Sequence, residues 1–284
     1  MRRACRWLQA RVLPYLALPT LGPITSFGIF AMLGVHFGST AVHRHGARLG
    51  LPPEELRRLV VYCGIGGILG AHYVDLLLYQ PGWYERPGAL WAFLNPFGGI
   101  SSYGGLLGGT LGFFAFARRR RGKRLRYADV AALGVLVLLV FGRAGCASVH
   151  DHVGVATSFP LAVDFPRGNP AGVVGPHHDL GLYELALLAV LVPAALLLAR
   201  RTTRDGLLVG CFALAYALPR FALDFLRREV DNPRYAGLTP AQWGCLVTIA
   251  AGIAVLVRVA RRGQETGSAP LPDPRSRTGT GGPP

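Results

Sequence analysis

Between Ile24 and Val257 the chain is a series of apolar runs separated by short polar loops, and seven of the runs are long. They extend from Ile24 to Val42, Leu59 to Tyr79, Ile100 to Ala117, Val130 to Ala147, Leu180 to Ala199, Gly206 to Leu226 and Ala241 to Val257. At 1.5 Å of rise per residue, each approaches the ~30 Å thickness of a hydrocarbon layer. The pattern predicts an all-α, polytopic integral membrane protein of about seven transmembrane helices. The third run, ISSYGGLLGGTLGFFAFA, is also compatible with a broken or re-entrant element. Gly66 and Gly70 in the second run, with Gly104, Gly105, Gly108, Gly109 and Gly112 in the third, make overlapping GxxxG faces that suit close helix contact. Around this core, residues 1–23 read as an amphipathic arm, 24–257 as the membrane domain with an outer loop over 148–179, and 258–284 as a disordered basic tail rich in Pro, Gly, Ser and Thr.

Composition agrees with a membrane solvent: 51% hydrophobic, 16% charged, mean hydropathy +0.35. In a soluble chain a net charge of +15 would suggest nucleic acid, but here the cations sit in loops between apolar runs, so no nucleic-acid partner is expected. Cys5, Cys63, Cys146, Cys211 and Cys245 show no CxxC spacing and read as small buried residues. The loops after runs one, three and five hold four, seven and three Lys or Arg, and the alternate loops one, one and three. The positive-inside rule makes the first set cytoplasmic, which puts the N-terminus outside and the C-terminus inside. The basic arm MRRACRWLQAR resists that assignment and is read as lying on the outer face.

Ionisable residues at one level of the outer side carry the candidate chemistry. FGRAGCASVHDHVG ends the fourth run with Arg143, Cys146, His150, Asp151 and His152, Tyr103 opens the third, and Tyr183 and Glu184 open the fifth. Tyr216, Arg220 and Asp224 follow one another at i, i+4 and i+8 in the outer half of the sixth. Intramembrane charges are costly and mark function by default. A guanidinium grips phosphate bidentately and stays charged, so Arg143 and Arg220 suit an anionic phospholipid headgroup. The alternative is an internal network, with Arg220 on Asp224 and Arg143 on Asp151 or Glu184, that only holds helices together. Neighbours in HDH point different ways on a regular element, so no metal site and no cofactor are expected.

The motifs resemble those of the prolipoprotein diacylglyceryl transferases, membrane enzymes that move diacylglyceryl from phosphatidylglycerol to the lipobox cysteine thiol of preprolipoproteins. LGPITSFGIFAMLG is similar to the family's first-span motif, GGILGAHYVDLLLY to the second, and GGISSYGGLLGG to a segment of the form GGMSFHGGLLGG. GRAGC begins like GRxGN, HDLGLYE resembles HPxQLYE, and RFALDFLR with GLTPAQWGCL is similar to RFxxEFxR and GLTxxQW. Departures fall at the chemistry: Cys146 and Val149 stand for asparagines, Asp151 for glutamate, Tyr103 for a histidine proposed as base, Phe27 for tyrosine and His72 for arginine. The resemblance implies a monomeric, multi-pass enzyme of the bacterial inner membrane with its site facing outward. It also implies the lipid bilayer, phosphatidylglycerol and lipobox-bearing preprolipoproteins as partners. Expected catalytic residues are Tyr103, His150, Asp151, His152, His178 and Glu184; expected phospholipid ligands are Arg143, Arg220, Asp224, Tyr216 and Cys146. A non-catalytic phospholipid-binding paralogue and a metal-assisted headgroup hydrolase using the His/Asp loop remain open beside it.

The charge asymmetry sets the first test. Reporter fusions after Arg126 and Arg204 are expected to read cytoplasmic and fusions within 148–179 exterior; an exterior reading at Arg126 overturns the assignment.

Overall fold

The computed structural model describes residues 13–16, 25–95, 99, 101–229 and 233–267, with side chains as far as Arg262. Seven long helices cover the seven apolar runs: α1 (Ser26–Arg48), α2 (Pro53–Val74), α4 (Ser102–Ala117), α5 (Arg124–Val149), α6 (Leu180–Arg201), α7 (Leu207–Leu223) and α8 (Pro240–Gly267). A short α3 (Ala89–Leu94) lies between α2 and α4. Ile24 and Ile100, at the ends of two expected runs, fall outside the described residues, as does the whole of the basic segment MRRACRWLQAR. The third run is one unbroken helix, begun by Ser101, whose hydroxyl accepts from the Gly104 N–H at 3.2 Å. The last helix runs past the expected Val257 to Gly267.

Among the described residues, five helical stretches are long and apolar enough to cross a membrane: Pro53–Tyr79, Arg121–Val149, Leu180–Arg201, Leu207–Leu226 and Pro240–Arg262. The other two long helices differ in physical character. His36, His43, His45 and Thr40 dilute α1, and the 16 residues of α4 reach only about 24 Å at 1.5 Å each.

Both pack through glycine. A Cβ on Gly108 of α4 would stand 2.1 Å from the Gly66 carbonyl oxygen of α2, and one on Gly70 would stand 2.4 Å from the Gly104 oxygen. In the same way a Cβ on Gly38 of α1 would stand 2.8 Å from the Gly134 oxygen of α5. Backbones in such contact exclude lipid from between the helices and stack small residues into a seam. At the opposite end from the candidate site, Asp129 of α5 caps α7, accepting from the Gly206 N–H at 2.6 Å and the Val209 N–H at 2.8 Å. A carboxylate there satisfies free amides and faces the positive end of the helix dipole.

The loop after α5 is folded rather than irregular. Its strands β2 (Val153–Ala156), β3 (Val163–Phe165) and β4 (Gly175–Asp179) pair antiparallel in the order β3-β4-β2, and β1 (Leu13–Pro14) joins β3 in parallel. Val153, Val163, Phe165 and Val173 form its small core. Gly154 is pinned against the end of α7: it bridges Arg227, and a Cβ there would stand 2.7 Å from the Leu226 oxygen. The sheet thereby seats the residues that follow α5 against the C-terminal end of α7.

Steric crowding at Gly108 makes a direct test of the α2–α4 seam. Gly108→Ala is expected to lower stability in detergent by about 1–3 kcal/mol, the scale of overpacking, read as a lower thermal midpoint. Gly64→Ala on α2, where a Cβ meets nothing within 4 Å, should leave it unchanged.

Candidate functional site

Three helices bring the expected charges together. Arg143 lies six residues before the end of α5, Glu184 in the first turns of α6, and Tyr216 and Arg220 one turn apart on α7, with Asp224 just past its end. Arg143, Glu184, Arg220 and Asp224 are buried, Glu184 completely and Asp224 nearly so, and Tyr216 is half-buried. A charge at such depth needs a partner of opposite sign. Glu184 supplies one for both arginines: Nε of Arg143 lies 3.0 Å from Oε2, Nε of Arg220 lies 3.3 Å from Oε1, and the Tyr216 hydroxyl donates to Oε2 at 2.9 Å. Asp224 then takes Nη1 of Arg220 and Nε of Arg227, each at 2.6 Å on Oδ1, while its other oxygen accepts from the Thr239 hydroxyl. Arg143 also donates from Nη2 to the Ser102 hydroxyl at 3.1 Å.

Of the two pairings open to Arg143 from sequence, the structure makes the one with Glu184. Arg227, Ser102 and Thr239 belong to the network and were not singled out from sequence. Their signal was available, since each sits inside a motif that carries the resemblance: RFALDFLR, GGISSYGGLLGG and GLTPAQWGCL.

A narrow cavity of about 40 Å³ opens beside this network between α4, α5, α7 and α8, with Ser102, Tyr103, Arg143, Tyr216, Arg220 and Cys245 among its walls. The Tyr103 ring lies over Gly244 of α8, so close that a Cβ there would stand 1.9 Å from ring carbons. Glycine at 244 is what lets the phenol reach the arginines' side of the bundle.

The histidines divide. His150 ends α5 in the left-handed region (φ 51), and its side chain turns away from the network. Its Nδ1 sits 2.5 Å from Oδ2 of Asp179, and its ring stacks on Tyr15 at 4.5 Å between centroids. Asp179 also caps α6 through the Leu182 N–H, so His150 ties the sheet to that helix start. His178 bonds the Tyr183 hydroxyl at 2.9 Å, and His177 the Gly175 carbonyl oxygen. The structure therefore does not bring His150 and His178, both expected at the site, to the arginines.

His152 does come to them. The reversal at His150 folds Asp151 and His152 back on the end of α5, where donor atoms of Cys146, Asp151 and His152 all lie within 4.8 Å of one another. Nδ1 of His152 is 2.7 Å from Oδ1 of Asp151, and Cys146 Sγ is 4.0 Å from Nη1 of Arg143. The expectation that HDH cannot focus ligands treated the segment as one regular element. The left-handed residue breaks that element, and Cys146 replaces His150 as the third member. Burial lowers the pKa of His152, against the opposing pull of Asp151. Burial alone would raise the pKa of Asp151, but the hydrogen bond and charge of His152, with Arg143 behind them, hold it below the usual carboxylate value.

Residues 16–258 match the family model described as prolipoprotein diacylglyceryl transferase. The chain belongs to the prolipoprotein diacylglyceryl transferase family. It is similar to the phosphatidylglycerol–prolipoprotein diacylglyceryl transferase of Chromohalobacter salexigens, 32% identical over 84% of this chain and 89% of that one. It is also similar to the protein of that name from Nitratidesulfovibrio vulgaris, 30% identical over 88% of this chain and 95% of that one. A third relative of that name, from Idiomarina loihiensis, is 32% identical over 74% of this chain and 78% of its own length. Family membership and the apolar helices together make this diacylglyceryl-transferase family member a multi-pass membrane protein. Its buried arginines stand on residues that match the family motifs, and Cys146, Asp151 and Tyr103 stand where this chain departs from them.

The shared carboxylate is the point to test. Glu184→Ala leaves two buried guanidinium groups short of a counter-charge and is expected to cost about 3–5 kcal/mol, whereas Tyr216→Phe, which removes one hydrogen bond, should cost about 1 kcal/mol. Equal, small losses in thermal unfolding of the two variants would mean that Glu184 is not the hub.

Proposed function

We propose that this protein is a phosphatidylglycerol:prolipoprotein diacylglyceryl transferase, a monomer of the bacterial inner membrane whose site faces the outer side. The observation that carries the reading is the pair of buried guanidinium groups, Arg143 and Arg220, held side by side on one carboxylate in a fold whose relatives bear that name. Seven helices cross the bilayer, with the N-terminus outside and the C-terminus inside. The Lys/Arg asymmetry of the loops supports this, as does the glycine-to-glycine packing of α1 and α4 on longer spans.

In this reading the phosphodiester of phosphatidylglycerol settles against the two arginines. The guanidinium forks hold it bidentately and offset the charge that grows on the departing glycerol phosphate. Sulfur of the lipobox cysteine attacks the diacylglycerol carbon bonded to the phosphate oxygen; the C–S bond forms, the C–O bond breaks, and the phosphate keeps the electron pair. Glu184, fully buried beneath both arginines, fixes the fork geometry before the lipid arrives. The thiol must also lose its proton. Tyr103 is poorly suited to take it, because an ordinary phenol has a pKa near ~10. Among the loop histidines, His152 is the one beside the network, and its imidazole can offer a lone pair to a proton or to a metal ion.

Purified protein, phosphatidylglycerol vesicles and a lipobox peptide test the reading. Arg143→Ala and Arg220→Ala are each expected to weaken phosphatidylglycerol binding by about 2–4 kcal/mol, the scale for stripping a buried charge of its partner. Lysine at either position should rescue poorly, because it lacks the fork. If both alanine variants bind like wild type, the arginines are structural. Lipid binding without transfer identifies a non-catalytic paralogue, and headgroup release without peptide identifies a hydrolase.

A further inference from the structure

Cys146, Asp151 and His152 are brought together by a specific backbone device. Cys146 sits in the last turn of α5, His150 then takes a left-handed conformation, and the two residues after it return to the helix end. The result is a soft thiol, an imidazole and a carboxylate with donor atoms within 4.8 Å of one another. Ligands on a tetrahedral Zn²⁺, with bonds of about 2.0–2.3 Å, stand roughly 3.5 Å apart. The widest pair here would close by about 1 Å, within the range of side-chain rotation. Cys146 is buried, whereas the Asp151 side chain is 41% exposed, so the cluster opens toward the outer side.

We propose that Cys146, Asp151 and His152 form a three-ligand zinc site whose open fourth position receives the acceptor thiol and presents it as thiolate to the lipid held at Arg143 and Arg220.

The donor set selects the metal. Thiolate with imidazole and carboxylate in a tetrahedral arrangement favours zinc over the oxygen-seeking divalent cations, and three protein ligands with one open position is the pattern of zinc sites that act on substrate. Charge balance allows it. Arg143, Arg220 and Arg227 face Glu184, Asp151 and Asp224 across the network. Zinc adds two positive charges, which the Cys146 thiolate and the incoming acceptor thiolate offset, and the bound phosphodiester faces the arginines. Arg143, 4.0 Å from Sγ through Nη1, opposes the metal least where it is already neutralised by Glu184. The site also supplies what this chain lacks elsewhere, because Tyr103 is a poor base and His150 and His178 are engaged with Asp179 and Tyr183.

The chemistry balances without another reactant. Zinc binding releases the Cys146 proton to solvent. Coordination of the acceptor thiol releases a second proton to solvent and leaves a zinc-bound thiolate. Its sulfur pair forms the C–S bond as the C–O bond to phosphate breaks, and the thioether product, a weak ligand, leaves the metal. His152 is then a ligand, and its lone pair goes to zinc.

The role in transfer rests on the proposed activity, whereas the metal site does not, and the experiment separates the two. Untagged full-length protein in detergent is stripped with chelator, titrated with Zn²⁺, and loaded in parallel with Co²⁺. We expect one metal per chain and a thiolate-to-cobalt charge-transfer band in the unaltered protein, which needs no variant to interpret. Cys146→Ser and His152→Ala should weaken zinc binding by about 100-fold or more, the upper range for disturbing a site, while His178→Ala keeps it. In the peptide assay, transfer should fall on chelation and return with Zn²⁺. No stoichiometric zinc, or zinc retained by Cys146→Ser, overturns the site. Metal-stripped protein that transfers at the full rate overturns the role while the activity stands. Zinc bound at the cluster with no transfer in either form overturns the transferase reading and the role with it, and leaves the metal site.

Discussion

Two guanidinium groups buried at one depth of a helical bundle repel each other and cannot shed their charge, so their position depends on what neutralises them. Glu184 does this for both, from a third helix, with no exposed surface of its own. The constraint fixes more than charge. Arg143 comes from α5, Glu184 from α6 and Arg220 from α7, so the three contacts set the rotation of each helix about its axis. Tyr216 and Asp224 extend the same restraint along α7, and Thr239 carries it to the start of α8. What faces the cavity follows from that setting.

The rest of the fold holds this hub in register. Glycine seams bind α2 to α4 and α1 to α5, placing Ser102 and Tyr103 on one side of the arginines. Asp129 fixes the far end of α7 to α5, so the helix that carries Arg220 is tied at both ends. The small sheet clamps the segment after α5, with Gly154 against Leu226 and His150 on Asp179. That clamp is why Asp151 and His152 return to Cys146 instead of leaving with the loop.

The helices were legible in the sequence because a long apolar run has one stable form in hydrocarbon. The i, i+4 pair of Arg220 and Asp224 was legible for the same reason, since helical spacing alone brings them together. The partner of Arg143 was not, because Asp151 and Glu184 both lie at the same end of the apolar runs as Arg143 and only tertiary packing chooses between them. The sheet was hidden as well. Its strands are two to five residues long, and Leu13 pairs with Val163 across most of the chain. Least legible was the division among the histidines. A non-glycine residue in the left-handed region is uncommon, and no local signal marks His150 as one. That single dihedral sends His150 to the sheet and His152 to the thiol.

Preorganisation of two arginines for a phosphate by one buried carboxylate is the central claim, and lipid-dependent stabilisation of Glu184→Gln measures it most directly. The variant keeps the shape of the side chain and removes its charge, so an added phosphodiester should supply part of what is missing. Thermal unfolding of wild type and variant is compared with and without phosphatidylglycerol, with an uncharged diacylglycerol as control. The account predicts a larger rise in midpoint for the variant than for wild type with phosphatidylglycerol, and no difference between them with diacylglycerol. An equal rise for both proteins with phosphatidylglycerol would show that the phosphate does not meet the arginines held by Glu184.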